Sequence, residues 1–309
     1  MAAPNILIVG ATGKQGGAVI HELSKTISEE SPLKLLALTR NPMSPAARRL
    51  KHAHPDILEL VHGDTTHPEA IFSQWPNKGH ISGVFLVTAP GKVREEEQGI
   101  PFIDAAVAHG VKHIVFSSVD RGGEEKSWNN PTEVKHFWEK HNIELHLRDK
   151  AAKQDHHHEF TWTIIRPVAF FDNWSSSGGF AGMFTAMWAT SLSPNKKLQL
   201  VSVRDIGVWA SMALSNPGKW AGRAISLAGD ELTLDEAKEK WHKVVGEEMP
   251  QSWGIAAKGL LWFMGDMDAM FKWFEREGYG ADIEALRMEE NSLQDMEAWL
   301  EHNSGWVHK

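Results

Sequence analysis

Gly10-Ala11-Thr12-Gly13-Lys14-Gln15-Gly16 is a G-x-x-G-x-x-G run. It follows the apolar residues 6–9 (ILIV) and leads into the helix-like residues 18–23 (AVIHEL). Glycines at this spacing between a strand and a helix let the backbone turn tightly and approach a pyrophosphate. The helix N-terminus then offers that anion free N–H groups and a partial positive charge. The context makes the run a dinucleotide-binding loop, with Gly10, Thr12, Gly13, Lys14, Gln15 and Gly16 as its expected contacts. Lys14 either adds positive charge there or points to solvent.

In a parallel α/β sheet, ligands bind beyond the carboxyl ends of the strands. The residues just after each apolar run are therefore the next candidates. Thr39-Arg40-Asn41-Pro42 follows the second run. An acid there would bond the adenosine ribose hydroxyls of NAD; Arg40 instead suits a 2′-phosphate, or is a solvated turn residue. The cofactor expected is NADP(H). Asp64, followed by Thr65, either accepts from the adenine amino group or caps the next helix. Thr88, Ala89 and Pro90 are small residues that let a cofactor lie close to the backbone. Ser117 and Ser118 end the fifth run, where a hydroxyl either faces the nicotinamide or substrate or satisfies local backbone.

His136 and Lys140, spaced i, i+4, share one helical face. Lys140 suits the nicotinamide ribose. His136 suits proton donation, since the unperturbed imidazole titrates near neutrality. A plain polar helix face is the other reading. Pro167, Val168 and Phe170 follow the sixth run, as an apolar wall for the nicotinamide ring or as a simple core exit.

These residues need a scaffold, and the pattern supplies one. Apolar runs at 6–9, 33–39, 57–62, 83–88, 113–118 and 161–166 alternate with helix-like segments at 16–28, 44–53, 67–74, 95–109 and 132–150. Continuously apolar strands between helices predict an α/β fold, a doubly wound parallel sheet of the Rossmann type. Residues 1–170 form the expected dinucleotide domain, to which 198–216 return. The rest of 171–309 is expected to be a smaller α/β domain for substrate or partner. Its predicted elements are a strand at 198–203, a helix at 205–216, a strand at 224–227, a helix at 234–245 capped by Thr233 or Asp235, a long helical stretch at 252–276 and a helix at 291–303.

The chain has 309 residues, 14 of them Trp, and a net charge of −8, which argues against a broad nucleic-acid footprint. It has no Cys, so disulfides and thiolate ligands are excluded. No signal peptide or membrane-length apolar run is read, and a cytoplasmic protein is expected. Three adjacent histidines, His156-His157-His158, cannot converge on one ion, so residues 155–159 read as a solvated loop and no metal is expected. Trp174, Trp188, Trp262, Phe263 and Met267 are candidates to line a cleft for a large, flat, apolar substrate. Helical spacing also fits them to a core, and exposure would fit a docking patch.

With these pieces assembled, the chain resembles the NmrA-like family of atypical short-chain dehydrogenases/reductases. The resemblance rests on the glycine run with Gly17, on Leu38-Thr39-Arg40-Asn41-Pro42, His136-Phe137-x-x-Lys140, Thr163-Ile164-Ile165-Arg166-Pro167, Asp205-Ile206-Gly207 and the stretch 229–234. It implies a Rossmann domain, a small C-terminal domain closing over the cofactor, and NAD(P) binding. The wider reductase pattern is Tyr-x-x-x-Lys, and His136 stands in the tyrosine place. The loop at 155–159 is longer than the family's usual link. Two functions are implied. One is an NADPH-dependent reductase of a C=N, C=C or C=O bond in a bulky aromatic substrate of secondary metabolism, with or without cyclisation. The other is a non-catalytic NADP(H)-sensing regulator that binds a transcription factor and would also enter the nucleus.

Overall fold

The computed structural model describes residues 4–28, 30–74, 80–153, 159–254, 257, 259–260 and 265–307. In chain order the elements are β1 (Asn5–Ile8), α1 (Lys14–Thr26), β2 (Lys34–Thr39), α2 (Pro45–Ala53), β3 (Leu58–His62), α3 (Pro68–Phe72), β4 (Ile81–Val87), α4 (Glu95–Ala108), β5 (His113–Ser117), α5 (Glu124–Ser127), α6 (Lys135–Ala152), β6 (Thr161–Pro167) and β7 (Ala169–Phe170). A 3-10 turn, Phe171–Trp174, leads to α7 (Ala181–Ser191), β8 (Leu198–Val201), α8 (Val203–Ser215), α9 (Pro217–Trp220), β9 (Arg223–Leu227), β10 (Asp230–Leu232), α10 (Leu234–Val245), α11 (Gly265–Arg276), α12 (Ile283–Glu289) and α13 (Met296–His302).

Strands β3-β2-β1-β4-β5-β6-β9 form one seven-stranded sheet. The pairings β1·β2, β2·β3, β1·β4, β4·β5 and β5·β6 are parallel. Strand order reverses between β1 and β4, the place where such sheets open a crevice at their carboxyl ends. Every residue of β1 and β5 is buried, as expected of strands covered on both faces. Helix α1 packs through Gly16, Val19, Ile20 and Leu23, a single stripe at helical spacing. Helix α8 approaches α1 so closely that a Cβ on Gly207 would stand 2.7 Å from the Ala18 carbonyl carbon.

The chain divides into two compact units: Met1–Ser118, Glu139–Ile165 and Ile206–Ile225 form the first, and Val119–Trp138, Arg166–Asp205 and Ser226–Lys309 the second. The division does not follow the expected boundary at 170. Residues 119–138 join the C-terminal part, where the Asp120 carboxylate accepts from the backbone Gly280 N (2.9 Å) and from the Ser226 side-chain hydroxyl. The second unit contains a three-stranded sheet, β10-β8-β7. Its core is aromatic: Trp174, Trp188, Trp241, Trp273 and Trp299 are each 1% exposed or less, among Phe171, Phe184, Phe271 and Phe274.

Several element ends differ from the sequence reading, each for a local reason. Helix α6 starts at Lys135 rather than 132, because Thr132 has a left-handed φ of 63°. Strand β8 stops at Val201; Val203 N then donates to Asp172 Oδ2 (2.9 Å) as α8 begins. Of the helical stretch expected over 252–276, residues 254, 257, 259 and 260 are helical and Gly265–Arg276 forms α11, while Ser252 N is bound to the Gly182 carbonyl (2.8 Å). The last helix begins at Met296, not 291: the Asp295 side chain caps it through Ala298 N. Thr233, not Asp235, caps α10, in a reciprocal capping box with Glu236. Among the described residues no helix is long and apolar enough to cross a membrane. Residues 155–158 lie outside the described residues.

Candidate functional site

In the first unit the glycine run forms the link from β1 to α1. Gly10 has φ 69°, and a Cβ there would meet Val87 Cγ1 at 2.8 Å. Gly13 N donates to the Gly10 carbonyl (2.9 Å), closing the turn. A Cβ on Gly16 would stand 2.3 Å from that same carbonyl oxygen, so only glycine lets α1 start this close to the strand end. Gly13 is the N-cap residue, gives no side-chain cap, and the first turn of α1 holds no acid. Thr12, Gly13 and Lys14 are exposed and Gln15 is half-buried. The loop therefore presents backbone N–H groups and the positive end of a helix, the arrangement that holds a phosphate.

The β2·β3 register pairs Thr39 with His62, and Gly63 N donates to the Thr39 carbonyl (3.1 Å). Arg40 and Asp64 thus leave neighbouring strand ends. Arg40 is exposed; Thr65 is half-buried. Asp64 Oδ1 accepts from Thr66 N (2.9 Å) and the Thr66 hydroxyl (2.8 Å). The backbone bond from Thr66, with help from the Arg40 charge, holds the Asp64 carboxyl below its ordinary pKa. Helix α3 begins at Pro68 with His67 at its cap, so Asp64 is not that cap, and one of its two sequence readings falls away.

The ends of β4 and β5 meet at Lys140. Its ammonium lies 2.8 Å from Glu95 Oε2, and the two side chains are 9% and 0% exposed. It also donates to Thr88 Oγ1 (3.1 Å), the Thr88 carbonyl (3.4 Å) and the Ser117 carbonyl (3.3 Å). The Thr88 hydroxyl in turn donates to Glu95 Oε2. An ammonium has three protons, and four acceptors here surround it. The expectation that Lys140 bonds a nicotinamide ribose meets a lysine already engaged within the protein. The Ser117 hydroxyl donates to Gln15 Oε1 (2.6 Å), which ties the β5 end to the glycine loop. Ser118 is buried, and its N–H donates to the Ile165 carbonyl (2.8 Å). Ala89 and Pro90 are exposed.

In the second unit, His136 Nδ1 and Asp266 Oδ2 are 2.8 Å apart. The His136 hydrogen bond is the main reason the Asp266 carboxyl lies below its ordinary pKa. Pro167 and Val168 are buried and Phe170 is half-buried. Val168 N donates to the Leu227 carbonyl (3.2 Å), and Phe170 pairs with Val201.

A sequence profile of the NmrA-like family matches residues 3–300. The chain belongs to the NmrA-like family. Among its relatives is an NmrA-like family domain-containing oxidoreductase, hkm9, of Aspergillus hancockii, 27% identical over 256 residues, covering 79% of this chain and 73% of that protein. Among solved structures, the Citrobacter triphenylmethane reductase complexed with NADP(H) superposes with a TM-score of 0.72 at 17% identity, covering 96% of this chain and 99% of that one. NmrA, a negative transcriptional regulator, in complex with NADP gives a TM-score of 0.70 at 16% identity, covering 98% and 96%. An enzyme and a regulator thus share this fold, and the fold alone does not separate the two activities.

Within this NmrA-like chain, the expected aromatic cleft is corrected. Trp174 and Trp188 are 0% and 1% exposed and stack at 5.9 Å. Trp174 Nε1 donates to the Thr185 hydroxyl (2.9 Å). They are enclosed core, because rings this large remove more apolar surface from water by packing on each other than by lining an open wall. Met267 is half-buried against the same core; Trp262 and Phe263 lie outside the described residues. Two residues that sequence reasoning missed are Glu95 and Asp266. Glu95 opens an acidic first turn, Glu95-Glu96-Glu97, which reads as an ordinary dipole-matched helix start. Nothing in the pattern marks the first of the three as buried.

Proposed function

We propose that this protein binds NADP(H) through the loop from β1 to α1 and reduces a C=N, C=C or C=O bond of a small organic molecule. The observation that carries the reading is the glycine cradle: a Cβ at Gly16 would fill it, and the helix start above it has no cap and no acid. The residues fit a dinucleotide. The N–H groups around Gly13 hold the diphosphate, Arg40 pairs with the 2′-phosphate, and Asp64 and Thr65 border the adenine side. Bound NADPH supplies hydride chemistry.

Lys140 then acts less as a ribose ligand than as a brace. With Glu95 it holds the Thr88 and Ser117 strand ends, over which Ala89 and Pro90 leave the backbone open. His136 is the proton donor, in the place of the family's tyrosine. The missing tyrosine is also the observation that favours the second reading, a regulator whose partner surface responds to bound NADP(H). The buried tryptophans give no ground for a bulky aromatic substrate.

The test is a tryptophan-fluorescence titration with NADPH, NADP and NAD, followed by NADPH consumption with imines, enones and aldehydes. The reductase reading expects tight NADPH binding and turnover with at least one class. Tight binding without turnover across the panel transfers the assignment to the regulator. No binding of any nucleotide ends both.

A further inference from the structure

His136 is held by a carboxylate from another helix of the second unit. Asp266 Oδ2 faces His136 Nδ1 at 2.8 Å, and Asp266 Oδ1 accepts from Lys135 N (2.9 Å), the first residue of α6. Both carboxylate oxygens are therefore committed, one to the backbone and one to the ring. The ring also packs edge-on against Phe137 (4.6 Å, 76°). Phe137 packs edge-on against Trp273 (5.3 Å, 86°), on the same helix as Asp266. The imidazole is thus fixed in direction as well as in contact. Its side chain is 20% exposed, and among the described residues only Nδ1 is hydrogen-bonded.

We infer that Asp266 is a positioning residue that locks His136 in the Nδ1–H tautomer and leaves Nε2 as the atom exchanging a proton with bound ligand. An ionised carboxylate only accepts, so the ring nitrogen that faces it carries the hydrogen. Protonation at Nε2 gives an imidazolium. Passing that proton to the ligand atom returns the neutral Nδ1–H ring, while Asp266 stays ionised throughout, the role a carboxylate plays behind a catalytic histidine. The identity of the proton acceptor rests on the reductase reading, in which hydride from NADPH and one proton from Nε2 together reduce the double bond. The tautomer lock does not rest on it.

A bare capping role for Asp266 forecasts the same ring tautomer in D266N, whereas the lock forecasts a switch. In D266N the side chain keeps one oxygen and gains an amide. If that oxygen stays on Lys135 N–H, the amide NH2 faces Nδ1, which must then accept, and the neutral ring switches to Nε2–H. The experiment is a long-range proton–nitrogen NMR spectrum of the full chain with labelled histidines, in which H136Q assigns the signal. The expected result is Nδ1–H for neutral His136 in the wild type and Nε2–H in D266N. Diethyl pyrocarbonate, which attacks an unprotonated ring nitrogen, reads the same change. It should modify wild-type His136 at Nε2 and act at least about tenfold more slowly on D266N.

A wild-type ring that is Nε2–H, an unchanged tautomer in D266N, or a wild-type Nε2 closed to the reagent overturns the inference. Should D266N fail to fold, the wild-type spectrum and its modification decide alone. H136Q consuming NADPH at the wild-type rate also overturns the assignment of Nε2. A chain that shows both signatures yet never consumes NADPH keeps the tautomer lock and loses the reductase reading.

Discussion

At the start of α1 the backbone N–H groups around Gly13 meet no capping side chain and no acid in the first turn. In the second unit, the N–H groups of Gly122, Gly123 and Gly280 converge on one buried carboxylate, Asp120, at 3.0, 2.9 and 2.9 Å. Both places gather backbone donors, and both suit an anion. One receives its anion from the chain itself and becomes structure. The other is left open to a ligand. The distinction is whether a side chain closes the donors, and it separates a binding loop from a structural turn more sharply than glycine content does.

The largest effect is expected in the second unit. Asp120→Ala takes the acceptor from the Gly122, Gly123 and Gly280 N–H groups and from the buried Ser226 hydroxyl, and should cost about 3–5 kcal/mol in a denaturant melt; a loss below about 1 kcal/mol would mean the turn does not need its anion. Trp174→Ala should cost a similar amount, about 3–5 kcal/mol. A near-neutral result there would restore the tryptophan to a cleft wall.

Acid should then separate the two units. Burial lowers His113 in the first unit from 6.5 to about 4, where Thr161 and Thr163 hold the ring. Its unfolded form takes up a proton as pH falls from 6.5 and its folded form does not, so stability drops between pH 6.5 and about 4. In the second unit burial raises Asp205 from 3.8 to about 6. That group works the other way: the folded form binds the proton first, so its contribution is full below 3.8 and is lost as pH rises through about 6. Each term is on the order of 3 kcal/mol. Hydrogen exchange at pH 4.5 should find the first unit weakened relative to the second, and His113→Gln should flatten the acid limb.

At the loop, Gly16→Ala forces a Cβ against the Gly10 carbonyl. It should weaken NADPH by about 100-fold, since crowding of this kind costs about 1–3 kcal/mol; unchanged fluorescence titration would detach the loop from the nucleotide. Arg40→Ala is the smallest and most selective change. A lost charge-assisted pair is worth about 1.5–3 kcal/mol, so NADPH affinity should fall about 10- to 100-fold while NAD affinity holds. Equal losses for both nucleotides would remove Arg40 from the 2′-phosphate.

The loop was legible in the sequence because its chemistry is local. Glycine spacing, the strand before it and the helix after it all lie within about twenty residues, in the order such a motif requires. Arg40 was legible for the same reason, as a strand-end residue whose charge speaks to a phosphate. The strands of the seven-stranded sheet were readable to within a residue or two, since buried parallel strands are continuously apolar, whereas the short β7 and β10 were not read. The helical stretch at 252–276 was readable from its apolar periodicity but its first residues were not, because periodicity is blind to a backbone N–H such as that of Ser252 being used elsewhere. The aromatic stripe was ambiguous in the same way: periodicity marks a buried face but not whether solvent or another ring lies across from it.

What the sequence determined by itself is the α/β alternation, the glycine cradle and the absence of an acid at the β2 end, all set by side chains and backbone within one turn or strand. What only tertiary structure decided is which distant groups meet. Glu95 buried against Lys140, and Asp266 gripping His136 from 130 residues away, have no signature in spacing. A charged residue of either sign reads as surface in the sequence, and only the fold sets which groups it meets.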